Sequence, residues 1–126
     1  MRQIETSEVA PSSAPLSQAI VEGDLVFASG QIPREPDGTI ITGDIKEQTA
    51  QVMENLSSIL EESGSSLDNV IKSTVFLTDT EHFDGFNDMY AKYMNEPYPA
   101  RSAFIVASLA RTEIDVEVEV IAKIDE

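Results

Sequence analysis

The clearest periodicity in the chain lies between Asp44 and Ser63. Ile45, Thr49, Val52, Met53, Leu56, Ile59 and Leu60 recur at three- and four-residue intervals, so the spacing predicts a helix with one buried face. Asp44 and Glu47 have the separation of a capping box, with Asp in place of Ser or Thr, and Gly64 stands where a glycine ends a helix. A second helical stripe, Phe83, Phe86, Tyr90, Tyr93 and Met94, follows Thr80, a candidate cap. Asn87 lies on or beside that stripe, an unusual place for an amide, which suggests a specific hydrogen bond. Elsewhere the pattern is that of strands. Val70 to Leu77 is dense in β-branched residues, and Arg101 to Val106 is a further β region. From Ile114 the chain alternates, with Ile114, Val116, Val118 and Val120 on one face and Asp115, Glu117 and Glu119 on the other, up to Ile124. Ile20 to Ser29 reads as a hairpin around Glu22-Gly23-Asp24, and Pro36-Asp37-Gly38 as a tight turn. Ala10 to Pro15 reads as a loop, and Gln3 to Glu5 as a candidate extra strand.

The resulting order is β-β-α-β-α-β-β. Two helices on one face of a mixed sheet form an α+β layer and leave the other face uncovered within one chain. An apolar uncovered face needs a partner, so an oligomer is expected.

Composition narrows the function. The 126 residues read as one domain, 1–126, large enough to bury a core without staples. Absence of Cys excludes a disulfide framework, a thiolate nucleophile and a Cys-based zinc site. The one histidine, His82, is placed in the first turn of the second helix and expected to be exposed; a multi-His metal site is impossible, and no metal is expected. Asp plus Glu number 23 against 8 Lys plus Arg, for a net charge of −15, which argues against nucleic acid or an anionic membrane as a partner. No apolar run approaches the ~18 residues of a membrane span, and the N-terminal stretch lacks the apolar segment of a signal peptide, so the expected location is the cytoplasm. At 41% hydrophobic residues the acidity is not that of a disordered chain. Acids dispersed along the whole sequence, with lysine only at 46, 72, 92 and 123, fit a protein that works in concentrated salt.

Pro99-Ala100-Arg101-Ser102 is the most informative stretch. The prolines at 97 and 99 enforce an extended approach, and Arg101 then opens a largely apolar strand. Its planar fork suits a carboxylate or phosphate; the competing role is a salt bridge to one of the many acids. Glu117 could act as general acid or base if burial raises its pKa, whereas Asp115 and Glu119 read as a solvated strand face. Ser29 has no candidate base nearby and reads as a hydrogen-bonded serine at a strand end. Asn87 is balanced between a structural and a site role, and the aromatics of the second helix read as core.

These stretches closely resemble the RidA/YjgF family of reactive-intermediate deaminases. The family signature of Pro-Ala-Arg-Ser followed by apolar-Glu-apolar is matched by Pro99 to Phe104 and by Val116-Glu117-Val118. Ala14-Pro15-Leu16-Ser17-Gln18-Ala19, Ser29 to Pro33, Lys72 to Leu77 and Asn87-x-x-Tyr90 also fit, so the resemblance spans about residues 3–124. It implies a chorismate-mutase-like α+β fold and a homotrimer with the sheets inward, the helices outside and a cleft at each subunit boundary. It also implies hydrolysis of 2-imino acids such as 2-iminopropionate and 2-iminobutanoate, and of their enamine tautomers such as 2-aminoacrylate, to 2-oxo acids and ammonia, with neither metal nor organic cofactor. In that scheme Arg101 holds the substrate carboxylate and Glu117 positions or activates water and moves protons. Backbone groups around Ala103, with Ser29 and Asn87, shape the pocket. Two positions depart from many members: Leu16 replaces a tyrosine and makes the entrance more apolar, and Ala103 replaces a cysteine. The competing implication is a non-catalytic trimer that binds a small carboxylate or another protein, as a sensor, chaperone-like protein or translation inhibitor. A ribonuclease role is disfavoured by the negative charge and by the lack of a histidine base.

Overall fold

A computed structural model describes residues 1–125. Six strands and two α-helices follow one another as β1 (Arg2–Ile4), β2 (Ala19–Glu22), β3 (Leu25–Gln31), α1 (Ile45–Glu62), β4 (Val70–Leu77), α2 (Phe83–Tyr93), β5 (Ala100–Ile105) and β6 (Val116–Lys123). They form one sheet in the order β1-β2-β3-β6-β4-β5, in which β4 and β5 are the one pair of neighbours, among the described residues, that run parallel. The extra N-terminal strand is present. The β2–β3 hairpin closes through Gly23-Asp24, with Gly23 at φ +61° and no positive φ at Asp24. A two-residue turn with positive φ at its first position alone is of type II′, whose twist matches that of the flanking strands.

Two crossovers, β3-α1-β4 and β4-α2-β5, step in the same direction across the sheet. A common handedness therefore lays both helices on the same face. The Asp44 carboxylate caps α1 by accepting from the Glu47 N–H at 2.9 Å, and Gly64 leaves the helix at φ +85°. Val52, Met53, Leu56, Ile59 and Leu60 of α1 are fully buried against Val26, Val75, Leu77, Val116 and Val118 of the sheet. The α+β layer and its single covered face agree with the sequence. On the opposite face Phe27 and Phe104 stand 43% and 52% exposed, and Phe76 stacks on Phe104 with centroids 6.1 Å apart. Nothing among the described residues covers that apolar surface.

Two local expectations fail. Thr80 does not cap α2. It lies in a short 3₁₀ turn, Thr80–His82, capped by the Asp79 carboxylate through the Glu81 N–H, and α2 starts only at Phe83. Asp79 wins because its extended backbone (φ −156°, ψ 144°) aims its carboxylate at the turn's free N–H groups. His82 is not exposed either; its side chain is 18% accessible and Nε2 lies 3.7 Å from Asp115 Oδ1. Thr78 Oγ1 also donates to Asp115, at 2.8 Å, and Gln48 Oε1 accepts from the Asp115 N–H, which ties the β6 entrance to α1 and to the end of β4.

Candidate functional site

Arg101 sits on β5, an edge strand, directly opposite Ser73 of β4. Ser73 is buried on the helix side of the sheet, so Arg101 also projects toward α2. Its Nη1 donates to Asn87 Oδ1 at 2.9 Å, the specific hydrogen bond that the placement of Asn87 on the helix suggested. Its Cζ lies 5.3 Å from the ring centre of Tyr90 and 5.6 Å from that of Phe86. Arg101 is exposed, and among the described residues no carboxylate comes within 4.0 Å of it. In a chain with 23 acids this removes the salt-bridge role weighed above. The guanidinium opens on a cleft of about 300 Å³ walled by Asn87, Tyr90, Ala91, Tyr98 and Pro99.

Ala103 follows two residues along the same strand face. The Val106 N–H bonds to Leu77 O at 2.8 Å, and N–H groups alternate in direction along a strand. The Ala103 N–H therefore points away from β4, toward the free edge of the sheet and to the side of Arg101.

Glu117 belongs to a different place. It pairs with Phe76 across β6–β4, so it rises from the open face of the sheet, opposite to the face of Arg101. Its carboxylate lies against Gly30: a Cβ built there would stand 3.0 Å from Glu117 Cδ, and closer still to Oε2. Burial, and then the neighbouring charge of Glu119, push the Glu117 carboxyl above its ordinary 4.5. Ser29 precedes Gly30, and its Oγ donates to Ser17 O at 2.6 Å, so the serine is hydrogen-bonded as expected, although β3 runs on past it to Gln31. Leu16 is 52% exposed and lines a smaller cleft of about 150 Å³ with Gly30, Gln31 and Ile32.

The candidate residues of one chain thus fall into two separate groups. Arg101, Asn87 and Ala103 belong to one; Glu117, Ser29 and Leu16 lie around Gly30 in the other. Sequence reasoning missed Gly30, whose lack of a side chain makes room for Glu117, and it took Tyr90 for core alone. The i, i+3 spacing of Asn87 and Tyr90 was the available signal, since it puts both on one side of α2.

Residues 7–124 match the family model described as "Endoribonuclease L-PSP". The chain belongs to the RidA/YjgF family. A RutC family protein of Pyrococcus abyssi is 45% identical over 123 residues, covering 96% of each chain. The chloroplastic Reactive Intermediate Deaminase A of Arabidopsis thaliana is 38% identical over 96% of this chain and 65% of its own length. The crystal structure of E. coli TdcF with bound serine superposes with a TM-score of 0.91 at 34% identity, covering 99% of this chain and all of the other. As a RidA/YjgF member the chain has relatives that include a reactive-intermediate deaminase, and its two-helix, six-strand layer is the family's fold. None of its helices, among the described residues, is long and apolar enough to cross a membrane.

Proposed function

We propose that this protein hydrolyses 2-imino acids and their enamine tautomers to 2-oxo acids and ammonia, in clefts shared between copies of a homotrimer. The observation that carries the proposal is the acid-free Arg101 guanidinium, held open in a cleft by Asn87 and two rings. Arg101 takes the substrate carboxylate in a two-pronged contact, and the edge-facing Ala103 N–H adds a third donor. Ionised Glu117 accepts a proton from water as the water oxygen bonds to C2 of the N-protonated imine, and then passes that proton to the amino nitrogen of the carbinolamine. The carboxylate so regenerated takes the hydroxyl proton as the C2–N bond breaks, ammonia departs, and Glu117 returns the proton to solvent. A carboxylate raised above its ordinary value suits this two-way proton transfer. The enamine form enters the same sequence after protonation at C3.

Arg101 and Glu117 lie on opposite sides of one sheet, so they meet only if two copies present opposite faces to one cleft. The uncovered Phe27 and Phe104 surface supports the same arrangement, because a closed ring of copies would bury it. The kinship with a reactive-intermediate deaminase supports the chemistry.

The test is ammonia release from imino acids made in place by an amino-acid oxidase. The proposal expects the folded protein to accelerate release from both 2-iminopropionate and 2-iminobutanoate. No acceleration, together with tight binding of the corresponding 2-oxo acids, would leave a carboxylate-binding module in its place.

A further inference from the structure

We infer that Tyr90 and Ser73 are positioning residues for Arg101, with the Tyr90 ring carrying the guanidinium and Ser73 fixing the ring. The inference rests on the reading of Arg101 as the carboxylate grip. Ser73 and Arg101 are direct cross-strand partners, so their side chains leave the sheet side by side. Ser73 is fully buried and Tyr90 5% exposed, and their hydroxyls lie 2.8 Å apart. That bond pins the phenol at its far end. Along its side the ring packs against Phe86, with centroids 5.3 Å apart and 31° between planes. The guanidinium lies within 6 Å of both ring centres, the range in which a cation is attracted to an aromatic face. Burial pushes the Tyr90 phenol up, outweighing the lowering by Ser73 and by the Arg101 charge, so the ring stays neutral at working pH.

Asn87 takes one of the guanidinium's five N–H donors, which leaves the others for a carboxylate in the cleft that Arg101 lines. A free arginine side chain on an edge strand would sample many rotamers, and its carboxylate contact would cost the entropy of stopping it. The Ser73–Tyr90 platform meets that cost in advance. The prediction is an effect on substrate affinity, because the rings act through the guanidinium, whose assigned partner is the substrate carboxylate and not the reacting carbon.

The experiment compares Tyr90→Leu, Tyr90→Phe and the Ser73→Ala/Tyr90→Phe double variant with the parent. The readouts are KM and kcat on 2-iminopropionate and the inhibition constant of pyruvate. Tyr90→Leu removes the platform and should raise KM and the pyruvate constant on the order of tenfold, with kcat within about twofold. Tyr90→Phe keeps the ring but loses its bond to Ser73, and should raise KM as the double variant does, by less than Tyr90→Leu. The double variant removes both hydroxyls together, so no buried hydroxyl is orphaned, and it keeps the protein folded if Tyr90→Leu does not. In it the ring-current shifts of the Arg101 side-chain protons should weaken, and KM should rise. Parent-like KM in every folded variant, or equal losses in kcat and affinity, overturns the inference. Arg101→Lys separates the two levels. If it keeps parental kcat/KM, the carboxylate reading falls and the inference with it. If it is impaired while the Tyr90 variants are not, the inference alone falls.

Discussion

Gly30→Ala is the sharpest perturbation of Glu117 that leaves its chemistry unchanged. The added methyl would stand 3.0 Å from Glu117 Cδ and 3.2 Å from Cγ, with Oε2 nearer still, whereas ordinary contact begins at 3.4 Å. Gly30 is not in the left-handed region, so alanine meets no backbone objection, and it gains about 0.4–1 kcal/mol by restricting the unfolded chain. The group in the way is the end of a flexible side chain, which can rotate outward. Relief of the overlap displaces the carboxylate by about 1 Å, and a misplacement of that size costs on the order of 10²-fold in rate. The expected variant melts within a few degrees of the parent, binds pyruvate like the parent, and releases ammonia on the order of 10²-fold more slowly. Affinity is spared because the carboxylate grip proposed for Arg101 lies on the opposite face of the sheet from Gly30 and Glu117. Parental kcat in a folded Gly30→Ala would refute the role given to the placement of Glu117; a lost fold would refute the claim that only a side-chain end is displaced.

Glu117→Gln should abolish most turnover and yet raise the melting temperature at neutral pH. The folded-state pKa of Glu117 is raised, so its favourable contribution is complete below the ordinary 4.5 and is lost as pH rises through the raised value. Melting curves of parent and variant should therefore converge in acid and separate toward neutrality, and a variant less stable than the parent at pH 7 would contradict the burial cost assigned to Glu117. In the parent, ammonia release should fall on the acid side at a pH above 4.5, as the base becomes protonated. Salt should act in the opposite sense to most surface electrostatics. The chain carries −15, and screening shortens from ~30 Å at 0.01 M to ~3 Å at 1 M, so thermal stability and trimer population should both rise into molar chloride. A flat or falling melting temperature across a chloride series at fixed pH would count against a protein suited to concentrated salt.

The elements legible in the sequence were those whose stability is local. The α1 stripe, its Asp44 cap and the alternation of β6 all survive in the structure because each pairs a regular period with burial on one side. Arg101 and Asn87 were legible as candidates because each interrupts an apolar pattern. Long-range effects were hidden. His82 is half-buried because Gln48 and Thr78 draw Asp115 inward, and Gln48 and Asp115 are 67 residues apart. A hydrophobic stripe cannot distinguish a ring that lies under the core from one that lies under a guanidinium, so Tyr90 was read as core alone. Alternation within β5 or β6 assigns residues to two faces. Only the register through β4 shows that Arg101 and Glu117 take opposite faces of the sheet.

Complementation between two disabled chains tests that shared site most directly. Arg101→Lys and Glu117→Gln are prepared separately, then denatured and refolded together in equal amounts, and ammonia release is followed with 2-iminopropionate as substrate. Each variant alone lacks one half of every cleft and should be nearly inactive. In random mixed trimers an intact cleft needs its arginine from the Glu117→Gln chain and its glutamate from the Arg101→Lys chain, so about one quarter of the clefts, and of the parental activity, should return. A mixture no more active than its two components, with mixed trimers demonstrated by mass, would contradict a site built from opposite faces of two copies.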